Sequence, residues 1–102
     1  MHAEVTELDQ WTATMRERLE AERAGHTAHL KELTADPGDA NEAHTRAAMI
    51  STVRRQLDQV QDALRRIEEG RYGQCERCGK PIPRERLELL PHARYCVPCQ
   101  QA

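Results

Sequence analysis

The chain has 102 residues, three aromatic side chains (Trp11, Tyr72, Tyr95) and no phenylalanine. That is too little apolar bulk for a large compact core, but enough for one small domain or one long element with a small module. Charged residues make up 31% of the chain, which suits a long solvated helical structure, and the formal net charge of −2 gives no whole-chain case for nucleic-acid binding.

At the N-terminus, Met1-His2-Ala3-Glu4-Val5 lacks the apolar h-region of a secretory signal. No apolar run approaches the ~20 residues of a membrane span. The expected location is therefore cytoplasmic, with no membrane partner and with thiols kept reduced. The first segment then carries a loose apolar stripe: Val5, Leu8, Thr12, Met15 and Leu19, continuing through Glu22 and His26 to Leu30 or Leu33.

The only Pro-Gly pair follows, in Ala35-Asp36-Pro37-Gly38-Asp39, and marks a turn. Beyond it, from about Ile50, the stripe Ile50, Val53, Leu57, Val60, Leu64, Ile67 is spaced 3, 4, 3, 4, 3, a sustained a/d heptad pattern. Two amphipathic helices joined by a short turn fold back antiparallel. The pattern predicts an antiparallel coiled coil of residues 5–34 and 39–69, about 45 Å long. Counting from the turn pairs Leu19 with Leu57, Met15 with Val60, Thr12 with Leu64 and Leu8 with Ile67. Nearer the turn, His26 falls opposite Ile50 and Glu22 opposite Val53, so the tip half is expected to be less stable than the base half.

Two readings of the tip stand side by side. Asp36 suits an N-cap, Pro37 the first helical position and Asp39 the acidic end of a capping box, with both charges at the positive end of the helix dipole. Equally, two carboxylates on a protruding tip can reach into a narrow site.

The second helix is expected to end at Gly70 in the C′ position. The chain then divides into a hairpin, residues 1–70, and a module, residues 71–102. That module holds all four cysteines, Cys75-x-x-Cys78 and Cys96-x-x-Cys99, with seventeen residues between the pairs. Each C-x-x-C turn aims two thiolates at one point, and a loop of about 15–20 residues lets the second pair complete a tetrahedron. One structural Zn²⁺ is predicted, with positive φ at Gly79 after the first knuckle. Two disulfides are disfavoured by the absence of a secretory signal, and a redox C-x-x-C by the absence of a βαβ context. Inside the loop, Pro81 to Leu87 reads as a short helix with Pro83 near its first turn. Ile82, Leu87 and Tyr95, with Tyr72, are expected to form a small apolar cluster over the metal. Only Gln100-Gln101-Ala102 follow the last cysteine, and no further element is expected there.

The fold class is thus all-α: an antiparallel coiled-coil hairpin followed by a small four-cysteine zinc-finger module. Arg77, Lys80, Arg84, Arg86 and Arg94 give the module a basic cast that Glu76, Glu85 and Glu88 offset. With no C₂H₂-type recognition helix, sequence-specific DNA binding is not expected. Arg84, Arg86 and Arg94 are instead candidates for contact with an acidic protein rim. His26, His29 and His44 lie in the tip half, and His92 in the zinc loop, without a ligand role. No nucleophile–base pair stands out, and no enzyme is expected.

These residues resemble the DksA/TraR family of bacterial transcription factors. The carrying segments are Glu69-Gly70-Arg71-Tyr72-Gly73-Gln74-Cys75-Glu76-Arg77-Cys78-Gly79, then Ile82, Arg86-Leu87-Glu88, Pro91 and Cys96-Val97-Pro98-Cys99, with Asp36-Pro37-Gly38-Asp39 similar to the family's Asp-x-x-Asp tip. The resemblance implies a factor that binds RNA polymerase rather than DNA. Its coiled coil would enter the secondary channel, with the zinc end on the channel rim and the tip (Asp36, Asp39) near the active site, and promoter complexes would respond. The positions matching the DksA branch's ppGpp-binding cations are Gln59, Leu90 and Gln100, none of them cationic, so the resemblance does not extend to ppGpp binding. Asn41 stands where that branch has a small residue beyond its tip, and the matched region begins and ends close to the chain's own termini. The competing functions are a zinc-stabilised adaptor whose coiled coil binds another protein, and a Gre-like factor whose tip carboxylates hold Mg²⁺ for transcript cleavage.

Overall fold

The computed structural model describes residues 6–35, 38 and 40–101. Helix α1 spans Glu7–Ala35, a 3₁₀ turn spans Ala40–Glu42, α2 spans Ala43–Glu68, and two short helices, α3 (Arg84–Leu89) and α4 (Val97–Gln101), belong to the cysteine-bearing module. Among the described residues no strand forms, only an isolated antiparallel bridge between Gln74 and Pro81. The molecule measures 58 × 40 × 20 Å, the long dimension set by the α1–α2 hairpin.

Thr6 starts α1. Its hydroxyl accepts the Asp9 N–H at 3.0 Å, and the Asp9 carboxylate lies 3.4 Å from the Thr6 N–H. These are the reciprocal bonds of a capping box with Asp in place of Glu. At the far end of α2, Gly70 takes φ +74°. Its N–H donates to Ile67 O at 3.1 Å, and the Arg71 N–H donates to Arg66 O at 2.8 Å, the paired bonds of a Schellman motif. The predicted C′ role of Gly70 is therefore met, and the chain leaves α2 at a defined angle.

The predicted pairing of the arms is displaced. Leu19, fully buried, packs with Val60, Ala63 and Ile67, and Leu57 is only half-buried. Met15 belongs to a separate cluster that includes Ile82, Leu87 and Cys75 of the module, and Leu8 is 57% exposed. Two causes explain the difference. The extra 3₁₀ turn means that α2 begins at Ala43 rather than near 39, which moves the partner of Leu19 along α2 from Leu57 to Val60. The module also folds back over α1 and covers Met15, a face the sequence had assigned to α2.

The same start of α2 bears on the capping reading of the tip. The N-cap position of α2 is Glu42 and not Asp36. Asp36 and Asp39 themselves, like Pro37, lie outside the described residues. At the other terminus, α4 begins at Val97, immediately after Cys96, and carries the last cysteine, Cys99; among the described residues no separate element begins beyond it.

Candidate metal centre

The two knuckles are built by backbone hydrogen bonds that return the chain on itself. In the first, the Cys75 N–H donates to Lys80 O and the Gly79 N–H to Cys75 O, both at 2.9 Å. Gly79 sits at φ +77°, as its place after the knuckle required, because a side chain there would be strained. In the second, Cys96 precedes α4 and its carbonyl accepts the Gln100 N–H at 2.9 Å, so the helical turn sets the spacing of Cys96 and Cys99. The two knuckles are stitched together by Glu76 N–H to Arg94 O at 2.9 Å. Helix α3, entered through Pro83 at its N-cap position, lays Leu87 against Ile82 and Cys75 beneath the site, and Tyr72 and Tyr95 pack against the same cluster.

The four Sγ atoms of Cys75, Cys78, Cys96 and Cys99 lie within 4.8 Å of one another. Cys78 and Cys96 are 3.7 Å apart, Sγ to Sγ. Four sulfurs at about 2.3 Å from a central Zn²⁺ would be separated by about 3.8 Å along each tetrahedral edge, whereas a disulfide would need about 2.05 Å. All four are free thiols. The donor set is therefore a closed four-sulfur cage for one zinc ion, of structural type, with no position left for a substrate.

The electrostatics agree with a donor set for a cation. Burial opposes ionisation of Cys75, but backbone N–H donors of Cys78, Cys96 and Arg77 outweigh it and bring its pKa down to about 6. Cys99 is pushed the other way, to about 12, by its bond with Cys96, by burial, and by the neighbouring thiols. Four thiols this close cannot all ionise unaided, and a dication would let them.

The module is held to both arms of the hairpin. On the α1 side, Trp11 Nε1 donates to Glu88 Oε1 at 3.1 Å and Arg18 to Glu88 O at 2.8 Å. Arg84 pairs with Glu7 at 3.3 Å and lies 5.0 Å over the Trp11 ring. On the α2 side, the fully buried Arg66 donates to His92 O and Ala93 O, each at 3.3 Å, and Tyr72 OH donates to Pro91 O at 2.8 Å. The three candidate rim arginines thus have partners within the chain. Besides Arg84, Arg86 donates to Tyr95 O at 3.2 Å, and Arg94 makes two bonds to Glu76 Oε2, at 2.9 and 2.6 Å. Gln59, Leu90 and Gln100 line one cleft together with Arg86, His92 and Arg94. No helix among the described residues is long and apolar enough to cross a membrane.

A four-thiolate zinc finger mounted on an antiparallel helical hairpin defines the class of protein. Residues 70–102 match the model of the prokaryotic dksA/traR C4-type zinc finger. The chain is 38% identical over 88 residues to the RNA polymerase-binding transcription factor DksA of Caulobacter vibrioides, a match that takes in 82% of this chain and 62% of that protein. It is 34% identical over 64 residues to the protein YbiI of Escherichia coli K12, covering 63% of this chain and 70% of that one. Among solved structures it resembles transcription factor DksA2 from Pseudomonas aeruginosa, with a TM-score of 0.63 and 25% identity, covering 91% of this chain and 79% of that one. The chain belongs to the DksA/TraR family. It spans less than two thirds of the length of the Caulobacter relative.

Proposed function

We propose that the protein is a transcription regulator that binds RNA polymerase through the secondary channel and alters promoter complexes with its tip. In this reading residues 1–70 are the inserting hairpin and residues 71–102 the zinc module that mounts it. The observation that carries the reading is the pairing of a hairpin anchored at its base by a zinc cage with 38% identity over 88 residues to an RNA polymerase-binding DksA. Asp36 and Asp39 are the acidic groups delivered at the tip. Arg84 and Arg94 leave 43% and 49% of their side chains exposed and are the rim contacts, with Arg86, tied to Tyr95, behind them. Zinc contributes structure and not chemistry: a cage of four thiolates leaves it no open coordination position. The location consistent with this role is the cytoplasm.

The test is co-purification of the zinc-loaded protein with bacterial RNA polymerase, followed by competition with a Gre factor. Displacement by the Gre factor is expected if both use the secondary channel. Undiminished binding in its presence places the contact elsewhere and favours the adaptor reading.

A further inference from the structure

The covalent link between hairpin and module is one strand of chain. It leaves α2 through the Schellman turn at Gly70, whose two backbone bonds fix where the chain exits the helix but not how the module is rotated against the two arms. The angle between the two parts is set by contacts across their interface. The apolar part of that interface, with Met15 against Leu87 and Ile82, is attractive but non-directional. The ties from Trp11, Arg18 and Arg84 are solvent-exposed, where ion pairs and hydrogen bonds contribute little.

Arg66 is different. It is fully buried, and its guanidinium touches three separate pieces of chain. Nη1 and Nη2 donate to the successive carbonyls of Ala93 and His92 in the zinc loop. Nε lies 3.7 Å from Glu76 Oε1, the residue between the first two zinc thiols, and 3.2 Å from Asp62 Oδ2, one turn back on its own helix. The Asp62 contact has ion-pair distance without hydrogen-bond direction, because the fork is aimed at the module and not along the helix. A planar fork holds the two adjacent carbonyls with separate donors while its charge lies beside the two carboxylates, a geometry that the compact ammonium of a lysine does not reproduce. A buried ion of this kind is a poor source of stability compared with an apolar residue, and its better-attested use is to select one geometry among several.

We propose that Arg66 is a positioning residue that fixes the angle at which the hairpin leaves the zinc module, and so determines where the tip is carried. Tyr72, through Pro91 O, adds a second directional bond to the same loop. The consequence for transcription rests on the proposed polymerase role; the geometric claim does not.

The experiment measures distance distributions by electron spin resonance between labels at His44, beside the tip, and Lys80, on the module. The labels are introduced as noncanonical amino acids so that the four cysteines stay on zinc. The wild-type protein is expected to give one narrow distribution, and Arg66→Met and Arg66→Lys about twofold broader ones, with zinc stoichiometry unchanged. Folding should survive either change, since Asp62 and Glu76 keep Arg65, Arg71 and Arg94 as partners. If Arg66→Met fails to fold, Arg66→Lys, which keeps the charge and loses only the fork, decides. In polymerase assays the variants should bind within about twofold of wild type yet lose about tenfold in transcriptional effect, because a tip displaced by ångströms misses its target. A broad wild-type distribution, or variants as narrow as wild type, overturns the positioning role. Failure of polymerase binding with the distance result intact would instead reject only the functional reading.

Discussion

Trp11 donates its indole N–H to the carboxylate of Glu88 at 3.1 Å across 77 positions of chain, and so ties the first turn-and-a-half of α1 to the zinc module. Its ring also lies 6.1 Å from that of Tyr72 and beneath the Arg84 guanidinium. Hairpin and metal site therefore meet at the base through this ring as well as through the buried cluster around Met15.

Trp11 is the chain's single tryptophan, which makes the docking observable. Metal analysis should give one zinc per chain. Chelation should shift Trp11 emission to longer wavelength as the module detaches, while far-ultraviolet dichroism keeps most of its helical signal. Trp11→Ala should cost about 2–3 kcal/mol in denaturant unfolding, below the value for a fully enclosed aromatic because the ring is half-exposed. An emission spectrum indifferent to metal removal would contradict the docking.

The displaced register separates two leucines. Leu19→Ala should destabilise the protein by about 2–5 kcal/mol, since it opens a cavity beside Val60, Ala63 and Ile67. Leu57→Ala, at a half-buried position, should cost about 1–2 kcal/mol. Equal losses from the two substitutions in urea titrations would restore the original pairing.

Tyr72 predicts an alkaline limit. Burial is the main cause that raises its pKa to about 12 from the ordinary 10, so the folded protein holds a phenolic proton that the unfolded chain gives up earlier. The resulting stabilisation is complete below about pH 10 and is lost as pH rises from there through about 12. Thermal melts of wild type and Tyr72→Phe should show the wild-type midpoint falling more steeply over that interval. Parallel profiles would mean that the phenol titrates normally.

At the cleft of Gln59, Leu90 and Gln100 the structure supplies two arginines that the motif comparison did not bring to the site. Arg94 is already paired with Glu76, and Arg86 already donates to Tyr95 O. A polyanion gains its strong bonds from uncommitted cations, so ppGpp should leave the transcriptional effect unchanged. A ppGpp response abolished by Arg86→Gln would show that this cleft accepts the nucleotide after all.

For the tip, Asp36→Asn with Asp39→Asn removes charge while keeping shape, and Asn caps about as well as Asp. The double variant should bind polymerase and melt like wild type, yet lose most of its effect on promoter complexes. Full transcriptional activity in the folded variant would reject the charge mechanism. Loss of Mg²⁺-dependent cleavage of backtracked RNA would point to the Gre-like alternative.

What could be read from the sequence follows from what is local. The cage was legible because C-x-x-C spacing is a short-range constraint, and the positive φ of Gly79 belongs to the same turn. The hairpin was legible because the α2 heptad is unbroken. The Thr6–Asp9 box was equally visible as Thr-x-x-Asp but lay at the edge of the periodic segment. The register was displaced because the 3₁₀ turn at Ala40–Glu42 adds length that hydrophobic periodicity does not record. Arg66 was invisible for a deeper reason. It is a charge next to stripe residue Ile67, so pattern alone assigns it to solvent, and only the folded-back loop of His92 and Ala93 turns that position inward.

The distribution of burial along the hairpin sets a gradient of opening. Every buried residue of α1 is Met15 or Leu19, and those of α2 begin at Val53, so the half of the rod beyond them is held by half-covered side chains such as Leu30, Leu33 and Ile50. With the base closed by the zinc module, the two arms cannot part there first. The hairpin is a cantilever: amide exchange should be slowest around Leu19 and Val60 and quicken steadily toward Ala35 and Ala43. A stalk of that kind can be aimed by its fixed end and still yield at its free end when it meets a narrow passage.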